Sequence, residues 1–597
     1  MSVTWTAPGP GEWVRLADHY DRGWTAEYQR ISGPTFEEGT TRYLQALGVP
    51  VKGVHLRTVN GFPYFRPLPR VGPAASTKSP PTWLLWIVAR VHPSLRRAER
   101  TARRALQERP WRAVAATWWT TERQAAIEAN LALGRIDVES LDPADLARHL
   151  DDVAANATAG YLRHYELHGS DMVPVGLWTT GAERWDITAP EALACLFGHS
   201  DATTGVDPAI DEMRAAVDRA RATPASLDEL AALAPEPLAD YLERHGDRLV
   251  TAYDLDGRSL RELPRLVLAG VLARPVAAVG AEAKAHADDR AARLRERVPS
   301  DERADFDRLL ADARAVYGMR DDNGAILGAW PMGLLRRAML AAGRQLVAIG
   351  VLDDDALAIE ATVPELRLLL GAPAGQAPPS LVAELATRSH RRSTIEARDA
   401  PVRLGGPEPL PPVEAFPPAT ATVARAIYAL ADSLAPPAGD GVSVGAEPDG
   451  EVLTESAQNR PPKTSNRDLG HITDSTSNRS LQDVSTKSLV ATGLGIGAAA
   501  YEGKARVVRT PDEAVVVLEV GDVLVVPVTN PAYNAVLALA GAVVVEEGGN
   551  FSHAAVIARE LGIPAIVGAR GACRTIADGS TVVVDPAAGE VRTLMLA

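Results

Sequence analysis

The sequence predicts a multidomain chain in which a large, mainly α-helical domain precedes a C-terminal α/β domain. Three observations predict it. At 597 residues the chain is too long for a single hydrophobic core. Between residues 81 and 434, apolar residues recur at helical spacing, with caps and stops where helices need them. Beyond residue 490 the pattern changes to short β-branched runs bounded by Gly, Pro and Asp.

Residues 1–80 are rich in aromatics, Gly and Pro, and "VNGFPYFRPLPR" (Val59–Arg70) holds an Asn-Gly turn signal between strand-like residues. A small N-terminal strand-and-loop segment is expected there. Residues 81–434 read as a helical domain. In it, "LDPADLARHLDDVAANATAGYLRHYELHG" starts at Asp142-Pro143, with a stop expected at Gly169. "PASLDELAALAPEPLADYLERHG", "SDERADFDRLLADARAVYG" and the stretch Gly333–Leu352 repeat that grammar without the fixed period of a solenoid. A proline-rich stretch, 373–420, leads to one more helix, Thr422–Leu434.

Residues 435–490 have few large apolar side chains and many Ser, Asn, Asp, Gly and Pro, too little to offset the entropy of ordering. A flexible linker is expected. As a coil of ~50 residues it spans about 40 Å root-mean-square, enough for one domain to move relative to another. Residues 491–597 then read as the strands "KARVVRT", "GDVLVVPV", "AGAVVVEEG", "IPAIVG" and "STVVVDP", with helices over Pro531–Ala540 and Ser552–Leu561.

The net charge of −14 argues against a nucleic-acid partner, which needs a basic surface. Two cysteines, Cys195 and Cys573, exclude a disulfide framework and a cysteine zinc cluster. The amino terminus lacks the basic and apolar regions of a signal peptide. No apolar run approaches the roughly 20 residues that span a bilayer, and the most apolar, Trp83–Val91, is broken by Arg90. A soluble, cytoplasmic protein with no membrane partner is the expectation.

The stretch "EEGGNFSHAAVIARELGIPAIVG" (Glu546–Gly568) concentrates the chemistry. Gly548-Gly549 permits a sharp turn after a strand. Ser552 is a good N-cap, so His553 opens the helix that Gly562 and Pro564 end. Unpaired N–H groups and the positive end of the helix dipole meet there, making an anion site in which a neutral imidazole can attack a phosphoryl group. Thr529 and Asn530 precede Pro531, a favoured first-turn proline, so Thr529 is a second candidate contact to the phosphoryl group. The plainer alternative is a capping or surface histidine.

The whole stretch resembles the phosphohistidine signature of the phosphoenolpyruvate-utilising enzymes, which include phosphoenolpyruvate synthase, pyruvate phosphate dikinase and rifampicin phosphotransferase. The matching residues are Gly548, Gly549, Ser552, His553, Ala554 and Ala555, then Ala558, Arg559 and Glu560, then Gly562, Ile563, Pro564 and Ala565. Thr529 and Pro531 match the upstream Thr-x-Pro, and "DGSTVVVDPAAGEV" matches the domain end. The resemblance implies a swivelling mobile domain with His553 as phosphate carrier. It also implies that Thr529, Gly548, Gly549, Ser552 and Arg559 bind or support the phosphate. The helical body resembles, more loosely, the substrate domain of rifampicin phosphotransferase-like proteins, through "HGDRLVTAYDL" and the stretch Tyr317–Leu346.

Family members charge the histidine through an ATP-grasp domain or a phosphoenolpyruvate-binding barrel, and neither is evident here. There is no Walker-type phosphate loop, and the G-x-G-x-G of "GLGIGAAAYEG" precedes a strand rather than a helix. The resemblance therefore implies a separate ATP-grasp protein that holds ATP and Mg²⁺, as in the split arrangement of phenylphosphate synthase. Phosphoenolpyruvate is the alternative donor. A small organic hydroxyl compound is the expected acceptor. Two rival readings are a non-catalytic binding or regulatory protein and a complete antibiotic-type kinase with an unrecognised nucleotide site.

For the acceptor pocket the candidates are His164 and His168, four residues apart on one helix face, and Arg320 in "YGMRDDNG". No third ligand accompanies the histidines, so no metal site is expected. The aromatic residues Trp13, Trp24, Phe62, Tyr64 and Phe65 are expected to serve packing, and Cys573 is given no role.

Overall fold

The computed structural model describes residues 3–16, 20, 22–72, 81–200, 207–272, 276–373, 376–408, 411–434, 487–497, 499–529, 533–537, 539–549 and 552–594. A large helical region is followed by a C-terminal α/β sheet domain, as the pattern predicts. The body is built around its longest helix. Its helices include α1 (Ala26–Ala46), α2 (Thr82–Val91), α3 (Pro93–Glu108), α4 (Pro143–Ala182), α5 (Val276–Arg297), α6 (Arg303–Tyr317), α7 (Trp330–Ala348) and α8 (Pro418–Leu434). Helices α1, α6, α7 and α8 all pack on α4.

Two sequence expectations are corrected. Helix α4 does not stop at Gly169 but runs through it and through Pro174 to Ala182. Gly169 serves close packing instead, for a Cβ there would stand 2.7 Å from the Cβ of Tyr43 on α1. Nor is the N-terminal segment strand and loop alone, because it contains α1. That helix carries Gly33, Pro34 and Gly39, poor helix formers. It is held by the Thr25 cap and by tertiary packing on α4, which override propensity.

The Asn-Gly signal is borne out as a hairpin between β2 (Val51–Val59) and β3 (Phe62–Pro69). With β1 (Trp13–Arg15) and β4 (Arg403–Leu404) these strands form a sheet in the order β2-β3-β1-β4. The strand from residue 403 ties the far end of the helical region to its start. Most of the expected linker, 435–486, lies outside the described residues, and the first strand after it begins at Lys487.

The C-terminal sheet has eight strands: β5 (Lys487–Thr492), β6 (Leu494–Ile496), β7 (Tyr501–Val507), β8 (Val523–Val526), β9 (Ala542–Val545), β10 (Ala565–Val567), β11 (Thr581–Asp585) and β12 (Glu590–Leu594). Their order is β5-β12-β11-β7-β8-β9-β10-β6, with β7, β8, β9 and β10 mutually parallel. Every residue of β8 and β9 is buried. The two-residue period sends Leu524, Val526, Val543 and Val545 to one apolar cluster, and Val523, Val525, Ala542 and Val544 to another. Both faces are covered, which is why these strands read as unbroken apolar runs. The first cluster also contains apolar residues of the helices between residues 208 and 272, so the sheet domain and the body share it.

Candidate functional site

Strands β8 and β9 are parallel neighbours, so the loops leaving their C-terminal ends lie side by side. The ladder continues past both strands: Glu546 N donates to Val526 O at 3.0 Å, and Glu547 N to Pro527 O at 2.9 Å. Thr529, buried two residues after Pro527, therefore stands at the same sheet edge as the Gly548-Gly549 turn. Residues 530–532 lie outside the described residues, and the described helix after them is Asn534–Leu537.

Gly548 has φ +112°, and a Cβ on it would stand 2.7 Å from the Ser552 side chain. Only glycine fits such a turn without strain. Gly549 has open space where a Cβ would point. The chain then enters α9 (His553–Leu561) through Ser552, whose extended backbone is that of an N-cap. The Ser552 hydroxyl does not cap the helix, however. It donates to Gly549 O at 2.9 Å, tightening the turn instead. His553 is the first residue of α9, as expected, and its side chain lies outside the described residues. The helix closes at Gly562, in the left-handed conformation.

Arg559 occupies the last turn of α9, six residues on, or about 9 Å along the axis at 1.5 Å per residue. Its guanidinium lies 5.6 Å from the centre of the Phe197 ring of the helical body. Burial lowers its pKa, with Tyr317 opposing that shift. The far end of the helix thus docks on the body beside α5 and the end of α6.

The three acceptor-pocket candidates come together in the body. Tyr161, His164, Tyr165 and His168 form one stripe of α4. The two imidazole rings lie 4.5 Å apart, centre to centre. His164 Nδ1 bonds to Asn323 Oδ1, and His168 Nδ1 lies 3.4 Å from Asp171 Oδ2. Arg320 sits within electrostatic reach of Tyr43, Tyr253 and Asp321, and opposes the upward pKa shift that burial gives each of them. Asp321 is exposed, and yet burial pushes its carboxyl up to about 6. The region bounded by Arg320, Asp321 and Tyr253 is the candidate acceptor cleft.

A chain of hydroxyls lines the same region. Tyr20 and Tyr28 are joined at 2.9 Å, Tyr28 donates to Tyr161 at 3.2 Å, and Tyr161 donates to Tyr253 O at 3.3 Å. Burial raises the pKa of each of these phenols, keeping them neutral donors. Two π-helical turns, Trp118–Glu122 and Gly324–Ala329, flank the cluster, a distortion common at functional sites. Asp322 has a different job from its neighbour: it accepts from Trp118 Nε1 at 3.0 Å and Arg123 Nε at 2.9 Å. The sequence names His164, His168 and Arg320 as candidates and sets Arg320 beside Asp321 and Asp322, but it does not single out Asp321 from Asp322 or point to the tyrosines. Tyr161 and Tyr165 were visible as members of the same helical stripe.

The C-terminal domain meets the body through the shared apolar cluster and at separate points. Burial raises the pKa of Asp512, and Thr251, two residues before Tyr253, and Arg22, beside the Tyr20 segment, oppose that shift. Glu547, next to the glycine turn, feels the charge of Arg15. Arg559 reaches Phe197 and Tyr317, the latter three residues before Arg320.

Of the aromatic residues expected to pack, Trp13, Trp24, Phe62 and Tyr64 are buried. Cys573 takes part in the loop packing, its backbone N donating to Glu546 Oε1 at 2.9 Å, and burial first, then Glu546, pushes its thiol up to about 12. Among the described residues no group of three or more His, Cys, Asp or Glu is placed to hold a metal ion. Among them, too, no helix is long and apolar enough to cross a membrane.

Residues 518–589 match the family described as PEP-utilising enzyme, mobile domain. An uncharacterised protein of Mycobacterium tuberculosis is 44% identical over 105 residues, which are 18% of this chain and 12% of that protein. A phosphoenolpyruvate synthase of Aeropyrum pernix is 45% identical over 89 residues, 15% of this chain and 11% of that enzyme. A pyruvate kinase of Lactobacillus delbrueckii subsp. bulgaricus is 41% identical over 102 residues, 17% of each chain. The similarity thus spans a small part of these relatives' own length.

Proposed function

We propose, from the premise that the C-terminal domain is a PEP-utilising enzyme mobile domain, that His553 ferries a phosphoryl group to a small organic hydroxyl compound seated in the Asp321–Tyr253 cleft. The mobile domain implies phosphoryl transfer through a phosphohistidine. In this reading the donor is the β-phosphate of ATP on a separate ATP-grasp protein, where bound Mg²⁺ would offset phosphate charge. The described residues offer no ligand set for that ion, and no step on this chain is routed through it.

On loading, the imidazole of His553 attacks the β-phosphorus as its bond to AMP breaks; water then displaces the γ-phosphate as inorganic phosphate, and the remaining phosphoryl group is held as a phosphoramidate beside the first-turn amides. On delivery, the acceptor oxygen forms a bond to phosphorus as the P–N bond breaks. The electron pair returns to the ring, whose other nitrogen carries a proton, so neutral imidazole leaves. The acceptor's proton passes to a base lining the cleft; Asp321 and His164 are the candidates. The observation that most supports this reading is the docking of the C-terminal domain on the helical body, through the shared apolar cluster, the hydrogen bond from Arg265 Nη1 to Val516 O at 2.9 Å and the Arg559–Phe197 contact.

The test mixes the full chain with a candidate ATP-grasp protein and β-labelled ATP. Acid-labile, alkali-stable label on this chain, absent from His553→Ala, is the expected result. Label that persists in that variant overturns the assignment of the carrier.

A further inference from the structure

Helix α2 presents an apolar surface to nothing in the described fold. Of its ten residues only Ala89 is buried. Trp83 is 65% exposed, Val91 63% and Trp86 48%, and Leu84 and Ile87 are exposed as well. Apolar residues exposed singly need no explanation, but a contiguous patch of this size marks an interaction site. The helix is not loose: Arg90 Nη1 donates to Trp86 O at 3.0 Å and to Ala415 O at 3.2 Å, and its guanidinium stacks 3.8 Å above the Trp86 ring.

One residue further on, α3 has the opposite character. Its apolar face, with Leu95, Ala98, Ala102 and Ala105, is buried, and α3 packs on α8. Its outward face carries Arg96, Arg97, Arg100, Arg103 and Arg104, all exposed. Arg103 pairs with Glu99 and Arg104 with Glu108. Arg97 adds to the burial that lowers the pKa of Arg70, so a further cation stands close by. This strongly basic face belongs to a chain whose net charge is −14.

We propose that the α2–α3 face binds an anionic lipid surface. Tryptophans suit the boundary between headgroups and acyl chains, and an apolar helix flanked by cations is the pattern of a helix lying in that boundary. Charge complementarity selects anionic lipid, since each arginine near such a surface adds attraction that salt screens. A second copy of this chain is disfavoured, because two α3 faces would bring like charges together. The face is separate from the carrier histidine and from the cleft, so the inference does not depend on the phosphotransfer reading.

The experiment is sedimentation of the full chain with vesicles of phosphatidylglycerol and phosphatidylcholine, or of phosphatidylcholine alone. The expected result is co-sedimentation with the anionic vesicles only, reduced at least tenfold at 1 M salt. The double variant Trp83→Ser, Trp86→Ser and the triple variant Arg96→Gln, Arg97→Gln, Arg100→Gln should each lose binding while melting as the parent does. No binding to anionic vesicles overturns the proposal, as does binding that both variants retain. A concentration-dependent dimer abolished by the tryptophan variant, with no vesicle binding, assigns the face to a second copy instead.

Discussion

Gly169 and Tyr43 hold helices α4 and α1 so close that a single methyl group would not fit between them: a Cβ at Gly169 would stand 2.7 Å from the tyrosine Cβ. Tyr43 also borders the cleft, within reach of Arg320 and Asp171. Gly169→Ala must therefore push the helices apart. Overpacking of this kind costs about 1–3 kcal/mol. Thermal denaturation of the variant should show a lower midpoint. An unchanged melting curve would refute the close approach.

The two glycines of the turn before His553 should behave differently. At Gly548 a side chain meets both a left-handed φ of +112° and the Ser552 side chain. Such strain costs on the order of 1–3 kcal/mol, borne locally by the turn. At Gly549 there is room for a Cβ. Label incorporation at His553 is expected to fall at least tenfold in Gly548→Ala and to stay within about threefold of the parent in Gly549→Ala. Equal losses in both would show that the turn is not what presents the histidine.

Asp321 makes a pH prediction with a definite sign. Its folded pKa, about 6, lies above the ordinary aspartate value of 3.8. Between those values the folded state binds more protons than the unfolded state, so stability falls as pH rises through the window. Removing the charge should relieve that loss. The melting midpoint of Asp321→Asn should match the parent at pH 4 and exceed it at pH 7. A variant less stable than the parent at pH 7 would mean that the carboxylate is paired in the cleft rather than desolvated.

The docking contact between Arg559 and Phe197 can be tested apart from chemistry. A cation–π contact contributes about 0.5–2 kcal/mol. Arg559→Ala should raise hydrogen exchange in the peptides covering Phe197 and α9, by roughly 2- to 30-fold if the contact reports the docked state. Strands β8 and β9 should remain protected. Faster exchange in those strands would mark a folding defect rather than undocking.

The C-terminal domain was legible because its chemistry is local. The glycine turn, the cap position and the helix stop lie within 23 consecutive residues, Glu546–Gly568. Strands β8 and β9, buried on both faces, announced themselves as apolar runs. The cleft was legible only in part. His164 and His168 share a helix face, so spacing alone relates them. Asp321 and Tyr253 reach the same place from separate elements, and nothing local ties them to α4. The misreadings have a common cause. Gly169 of α4 and Gly39 of α1 are poor helix formers by local rules, yet long-range packing uses those same residues to bring the two helices together. Ser552 was read correctly as the cap position, but its hydroxyl is taken by Gly549 O, a competition that residue type alone does not reveal.

Helix α9 keeps its handle and its cargo at opposite ends. Arg559 grips Phe197 at the last turn, while His553 stands at the first. In the proposed transfer, the nine-residue helix thus separates docking, at its last turn, from delivery, at its first.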